Sequence, residues 1–262
     1  MKKGICIGSL PGSSMEAKFE LAKEAGFDGV EINTIGNDSE RLQIKAIAEE
    51  HGIEVISVMN SKHWACPLSD ADDQVRAESR AGMLDSIATA KAVGAETVLL
   101  VPAVVNDRIS YEEAYQRSQA EIRKLIPAAK DNEITIALEN VWNKFLLSPI
   151  EFCRYIDEFD SETITAYFDV GNIVLYGYPQ QWIRSLGNRI TKVHVKGFNA
   201  GEMRFTYLIE DCTIDWNAVM SALADVGYND YMTAELPVDS DNPEGRVHSI
   251  SEDMDRIIAG TV

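Results

Sequence analysis

"ITIALEN", residues 134–140, decides the fold. A largely apolar run from Ile134 to Leu138 stops abruptly at Glu139 and Asn140. Short runs that are apolar nearly throughout read as strands buried on both faces, the mark of parallel pairing. A carboxylate carried to the end of such a strand loses much of its hydration, which is costly unless something pairs with it. Glu139 is therefore either the structural partner of a nearby cation or a member of a site.

Runs of the same kind recur on both sides. Ile5–Ile7, Gly29–Ile32, Glu54–Met59 and Thr97–Pro102 precede it; Thr163–Asp169, Ile190–Lys196 and Tyr231–Leu236 follow. Longer segments with helical periodicity and end signals separate them. Ser13 with Glu16 reads as a capping box for a helix ending at Ala25, with Gly26 as its stop. Asn37 and Glu40 cap a helix running to His51, and a helix spans Asp70 to Val93. Tyr111–Lys130 is helical but bent or stopped near Pro127. Ser148-Pro149-Ile150-Glu151 is a strong helix start, and Pro179–Leu186, Trp216–Val226 and Gly245–Ala259 complete the set. Eight βα units with no linker predict one (β/α)8 TIM barrel over residues 1–262. A doubly wound open sheet is the alternative, but "GSLPGSS" after the first strand lacks the spacing of a nucleotide-binding loop.

Composition narrows the partners. The 262 residues carry a net charge of −18, which repels phosphate backbones and anionic membranes. Nucleic acid and membrane are thus excluded as partners, and a small molecule is expected. Cys6, Cys66, Cys153 and Cys212 have no metal-binding or redox spacing and read as free thiols in a reducing cytoplasm. The apolar run in "MKKGICIGSLPGSS" is too short for a secretion signal, and none approaches the ~20 residues of a membrane helix.

In such a barrel, chemistry sits at the C-terminal ends of the strands. The fifth to eighth strands each deliver a candidate ligand there: Glu139, Asp169, His194 and Glu235. Neighbouring strands lie about 4.8 Å apart, so these side chains can converge on one ion. Three carboxylates and an imidazole suit one divalent metal ion, manganese first, with magnesium, cobalt or zinc as alternatives. The ion offsets the mutual repulsion of the carboxylates and leaves positions open for substrate oxygens.

The chain resembles the xylose-isomerase-like barrels, in the sugar and sugar-phosphate isomerase/epimerase branch that includes ketose 3-epimerases. The resemblance spans nearly the whole sequence and rests on "GFDGVEI", "LEN", "FDVGN", "VHVKGF" and "DCTIDWNAVMSALADVGYNDYMTAEL". It implies a metal held by Glu139, Asp169, His194 and Glu235, with Glu139 and Glu235 as the acid/base pair. Epimerisation beside a carbonyl needs one group to remove a carbon-bound proton and another to return one, through a metal-stabilised enediolate. An aldose–ketose isomerase would use the same apparatus. The substrate implied is a sugar or sugar phosphate, and association into a homo-oligomer is expected on the same ground.

Three positions depart from the free-ketose epimerases. Leu146 stands where they carry a further Glu, Asn172 where they carry a His, and Ala200 where they carry an Arg, with Arg204 nearby. The departures leave room for a phosphorylated or acidic substrate. Further candidates for substrate contact are Glu31 at the end of the second strand, His63 and Trp64 in the loop after the third, Asn172, Lys196 and Arg204. Glu31 has an alternative role in a salt bridge, and Lys196 an alternative as a partner of Asp169. The competing function is a metal-dependent dehydratase of a keto-inositol or dehydroshikimate-like substrate. A multi-zinc nuclease of this fold is excluded by four histidines and the acidic charge.

Overall fold

The protein is described by a computed structural model covering residues 1–262. Eight parallel strands close into a barrel: β1 (Lys2–Cys6), β2 (Gly29–Asn33), β3 (Glu54–Met59), β4 (Thr97–Leu100), β5 (Thr135–Glu139), β6 (Ile164–Asp169), β7 (Ile190–Val195) and β10 (Tyr231–Ala234). Their order around the barrel is β1-β10-β7-β6-β5-β4-β3-β2, so each strand pairs with its neighbour in the chain and β10 closes onto β1. Two further strands, β8 (Gly197–Asn199) and β9 (Arg204–Thr206), form an antiparallel hairpin above β7. The (β/α)8 barrel expected from the eight apolar runs is the fold observed.

The run that opens the reading is apolar for two different reasons. Ile136 and Leu138 pack into the large core between strands and helices, while Ala137 lies in a small separate cluster with Leu99 and Tyr167. Side chains alternate across a strand, so Ala137 and Glu139 belong to the row facing the barrel axis. Tyr167 and Asp169 form the same row on β6. The register places Asp169 opposite His194, and His194 opposite Thr233, two residues before Glu235. The last inward residues of four consecutive strands thus rise to one rim.

The helices begin where side chains satisfy the free N–H groups of their first turn. Asn37 accepts from the Glu40 amide ahead of α2 (Asp38–His51), and Ser148 accepts from the Glu151 amide ahead of α6 (Pro149–Asp157), with Pro149 in the first turn. Other boundaries differ from the expectation. The first helix, α1 (Met15–Glu24), is capped by Ser14 and not by Ser13 with Glu16. Ile7, expected to end the first strand, instead opens a 3₁₀ turn (Ile7–Ser9), and β1 starts earlier at Lys2. Asp72 caps α3 (Asp73–Val93), and Asn242 caps α10 (Pro243–Ile258). The segment around Pro127 is two helices, α4 (Tyr111–Arg123) and α5 (Ile126–Asn132), because the proline sits in the first turn of the second. The remaining helices are α7 (Val170–Ile173), α8 (Pro179–Leu186) and α9 (Trp216–Asp225).

Candidate active site

The four strand ends meet. One ligand atom from each of Glu139, Asp169, His194 and Glu235 lies within 4.8 Å of the others. His194 is fully buried on β7 and stands at the centre. Its Nδ1 is 2.9 Å from Glu139 Oε1 and 3.9 Å from Glu235 Oε2. Donors placed at right angles about 2.1 Å from a shared ion lie about 3 Å apart, and opposed donors about 4.2 Å. The spacings observed are of the size that donors around one divalent ion would have.

A second observation supports that fit. Asp169 is fully buried, and its Oδ2 has no aligned hydrogen-bond donor, although Lys196 Nζ lies 3.1 Å away. A buried carboxylate oxygen without a donor is costly unless a cation takes its lone pair. Its other oxygen is tied down, since Oδ1 accepts from the Asn172 amide at 2.7 Å. Asn140 fixes the Asp169 backbone on both sides: its amide nitrogen donates to the Asp169 carbonyl at 2.8 Å and its oxygen accepts from the Asp169 amide at 2.9 Å. The chemistry of the donor set, mostly oxygen with one nitrogen, is that of a hard cation.

The other face of His194 is dry and just as specific. Nε2 lies 3.0 Å from Glu31 Oε1 and 3.5 Å from Cys6 Sγ. Glu31 is buried, and Ser57 Oγ donates to its Oε2 at 2.7 Å. Tyr167 lies against the imidazole, with ring centroids 4.4 Å apart, and its hydroxyl is 3.3 Å from Ser57 Oγ. Each ring nitrogen has a carboxylate within hydrogen-bond distance, as a protonated imidazole requires, and a cation at Nδ1 would replace the proton there while Glu31 keeps the one on Nε2.

Burial and charge drive these groups apart in acidity. Burial raises the Glu139 carboxyl above its ordinary range, and the His194 charge only partly offsets this. Burial raises Asp169 as well, against the pull of Lys196. Glu235 shifts the other way: burial is outweighed by the charges of His194 and Lys196, which hold it low. Glu31 is held at about 2, because its contacts with His194, Ser57 and Tyr167 exceed the cost of burial. Burial pulls His194 down, but the surrounding Tyr167, Glu31 and Cys6 outweigh it and keep it well above its usual value.

The remaining candidates divide. Lys196 bonds Glu235 Oε2 and touches Asp169, inside the cluster. Asn172 is buried in α7 and links Asp169 to Asn140, whose carbonyl accepts from its side-chain nitrogen at 3.0 Å. Glu31 is under His194 and its two oxygens are already engaged by protein groups. His63 is buried, accepts from the Val101 amide, and is pushed down to about 4 by burial; Trp64 stands edge-on to it, half exposed. Arg204 stands apart on the exposed hairpin strand β9, where Glu202 and Asp211 take up its guanidinium.

Several contributors escape a reading of single strands. Trp142 stacks on Phe205 of β9, with centroids 4.7 Å apart, and Phe198 closes edge-on against both rings. The Trp142 indole donates to the Asn172 carbonyl at 3.0 Å, joining this aromatic group to the residues around Asp169. Ser57, Tyr167 and Cys6 are likewise new. Tyr167 had a signal, because it precedes Asp169 by two and must share its face.

Three known proteins are similar to this chain, one in sequence and two in fold. A protein of Escherichia coli (strain K12) named "Putative L-ribulose-5-phosphate 3-epimerase SgbU" is 25% identical over 240 residues, 85% of this chain and 84% of its own. A solved D-tagatose 3-epimerase-like protein superposes with a TM-score of 0.85 at 19% identity, over 100% of this chain and 98% of its own. The 3-keto-D-glucoside 4-epimerase YcjR from E. coli superposes with a TM-score of 0.83 at 17% identity, covering 99% of both chains. The sequence model of the xylose isomerase-like TIM barrel matches residues 19–257, and the chain belongs to that family.

Proposed function

We propose that the protein is a divalent-metal-dependent epimerase of ketoses or ketose phosphates. In this reading, Glu139 and Glu235 remove and return a carbon-bound proton beside the substrate carbonyl. The observation that carries it is their joint approach to His194 Nδ1 from β5 and β10, strands separated in the barrel by β6 and β7. A substrate over His194 meets one carboxylate on each side, as inversion at carbon demands. Their environments also diverge, with Glu139 raised by burial and Glu235 held low by neighbouring cations. Opposed shifts of this kind separate an acid from a base.

Glu139, Asp169, His194 and Glu235 would hold the ion. When bound, it would draw off the negative charge that builds on the substrate's carbonyl and adjacent hydroxyl oxygens. The chain's own groups do the rest. Glu31 and Tyr167 fix the His194 ring, Asn140 and Asn172 fix Asp169, and the Trp142–Phe205–Phe198 group shields the mouth from water. Names among the relatives span a ketose phosphate and a 3-keto-glucoside, which sets the breadth of the substrate class to be tried. The dehydratase alternative gains no support from them. No helix is long and apolar enough to cross a membrane, and a cytoplasmic location is part of this proposal.

The test is proton exchange. Protein loaded with Mn²⁺ is incubated in D₂O with ketoses, ketose phosphates and 3-keto-glycosides, and label is followed by NMR. Deuterium at the carbon beside the carbonyl, lost in Glu139→Gln and Glu235→Gln, is the expected result. Exchange that persists in both variants would remove the two carboxylates from the chemistry.

A further inference from the structure

Lys196 occupies an unusual place for an ammonium group. It lies inside the candidate metal cluster, bonded to Glu235 Oε2 and 3.1 Å from Asp169 Oδ2. Those residues supply two of the four prospective ligands. Its side chain is only 15% exposed, so water does little to screen its charge. Its stem runs over Gly171, where a Cβ would fall 2.5 Å from Lys196 Cγ and 2.7 Å from its carbonyl oxygen. The bare glycine of "FDVGN" is thus the floor on which the lysine lies.

The contact with Asp169 is close without being a hydrogen bond, since Oδ2 has no aligned donor. Asp169 is held in place by Asn140 and Asn172, so its unused lone pair keeps its direction whether or not Lys196 is there. Glu235 is different: its side chain is one-third exposed, and its contacts are with Lys196 and His194. A divalent ion using Asp169 Oδ2 and Glu235 would sit within a few ångströms of a charged ammonium. Like charges at that range in a poorly hydrated site repel strongly.

We infer that Lys196 is a built-in counter-cation that competes with the metal: it holds Asp169 and Glu235 together in the metal-free protein and weakens the ion's binding by its charge. The inference rests on the metal reading above and adds a residue that tunes affinity without being a ligand. On binding, the ammonium gives up part of its hold on the carboxylates. Phe205 lies 5.2 Å beneath it and offers a ring face to a displaced cation.

The experiment measures metal affinity, not turnover. Mn²⁺ is titrated calorimetrically into metal-free wild type, Lys196→Met and Lys196→Gln, and the thermal midpoint of each is recorded with and without metal. Lys196→Met and Lys196→Gln both remove the charge and keep the stem, the first with an apolar end and the second with a polar one. The expected result is Mn²⁺ affinity at least about tenfold tighter in Lys196→Met. Its metal-free midpoint should be lower than that of wild type and its rise on metal loading larger. Lys196→Gln serves if Lys196→Met fails to fold, and should also bind Mn²⁺ more tightly. Unchanged or weaker Mn²⁺ binding in the variant that folds would overturn the competition while leaving the metal site standing. Binding to no variant, wild type included, would overturn the metal reading and this inference with it.

Discussion

Two regions of the molecule bury carboxylates, and they do so in opposite ways. On the outside, Glu121 of α4 is buried beneath Arg76 and Arg80 of α3 and Lys124, three cations of which only Arg76 has a second carboxylate partner, the exposed Asp73. Inside the barrel, Glu31, Glu139, Asp169 and Glu235 share His194 and Lys196. The first region over-compensates its charge and is a clasp between two helices. The second is short of positive charge and holds an oxygen with no aligned donor. Folding alone gives no reason to concentrate anions where water is scarce, since uncompensated buried charge costs stability. The proposed divalent ion would offset that deficit.

The largest expected effect tests the deficit directly. Glu235→Gln should lower the exchange rate by about 10²–10⁴-fold, the usual contribution of one positioned acid or base. Asp169→Asn should abolish tight metal binding yet leave the thermal midpoint of the metal-free protein unchanged or raised. Asparagine keeps an oxygen for the Asn172 amide while relieving the repulsion with Glu139 and Glu235. A marked drop in the metal-free midpoint would make Asp169 a structural ion-pair residue and erase the contrast.

Next comes the dry face of His194. Glu31→Gln should weaken Mn²⁺ binding by about 10–100-fold, as loss of an outer partner of a ligating imidazole does. The amide still fills the space and still bonds Ser57 Oγ, so a loss in calorimetric affinity without loss of fold separates orientation from packing. Unaltered affinity would return Glu31 to a purely structural role.

These residues also mark where the sequence stops being legible. The barrel was readable because eight short apolar runs alternate with capped helices, and the rim cluster because each run ends in a group that resists burial. Glu31 was visible as a strand-end carboxylate, but its partner was not. It reaches His194 across the barrel interior from β2 to β7, and such a contact depends on closure and stagger that no local pattern encodes. The β8–β9 hairpin leaves no periodic signal because its strands have three residues each. Its Phe205 meets Trp142 only once β5, β6 and β7 lie next to one another in the barrel. Ser13 with Glu16 matches the capping-box pattern, yet Ser14, one residue on, makes the cap by accepting from the Ala17 amide.

The outer clasp gives the smaller effects. Glu121→Gln leaves Arg76 and Arg80, both largely buried, facing a neutral amide and should cost about 2 kcal/mol in urea unfolding. That loss is the reverse of what Asp169→Asn should show, although both remove one buried negative charge. If the two variants moved stability in the same direction, the charge balance described above would be the wrong account of one of them.

Lys124→Met is the smallest. Lys124 is the third cation on Glu121 and its side chain is 55% exposed, so most of its attraction is screened and two arginines remain after it is gone. Unfolding free energy should change by under about 0.5 kcal/mol, and a double-mutant cycle with Glu121→Gln should show a coupling no larger. The same substitution at Lys196 is expected to change both metal affinity and the metal-free midpoint. The chemistry removed is identical, and the difference lies only in how many other positive charges the carboxylates have. A large effect at Lys124 would mean that the clasp has no cation to spare. The excess of charge outside and the deficit inside would then no longer distinguish a structural contact from a site.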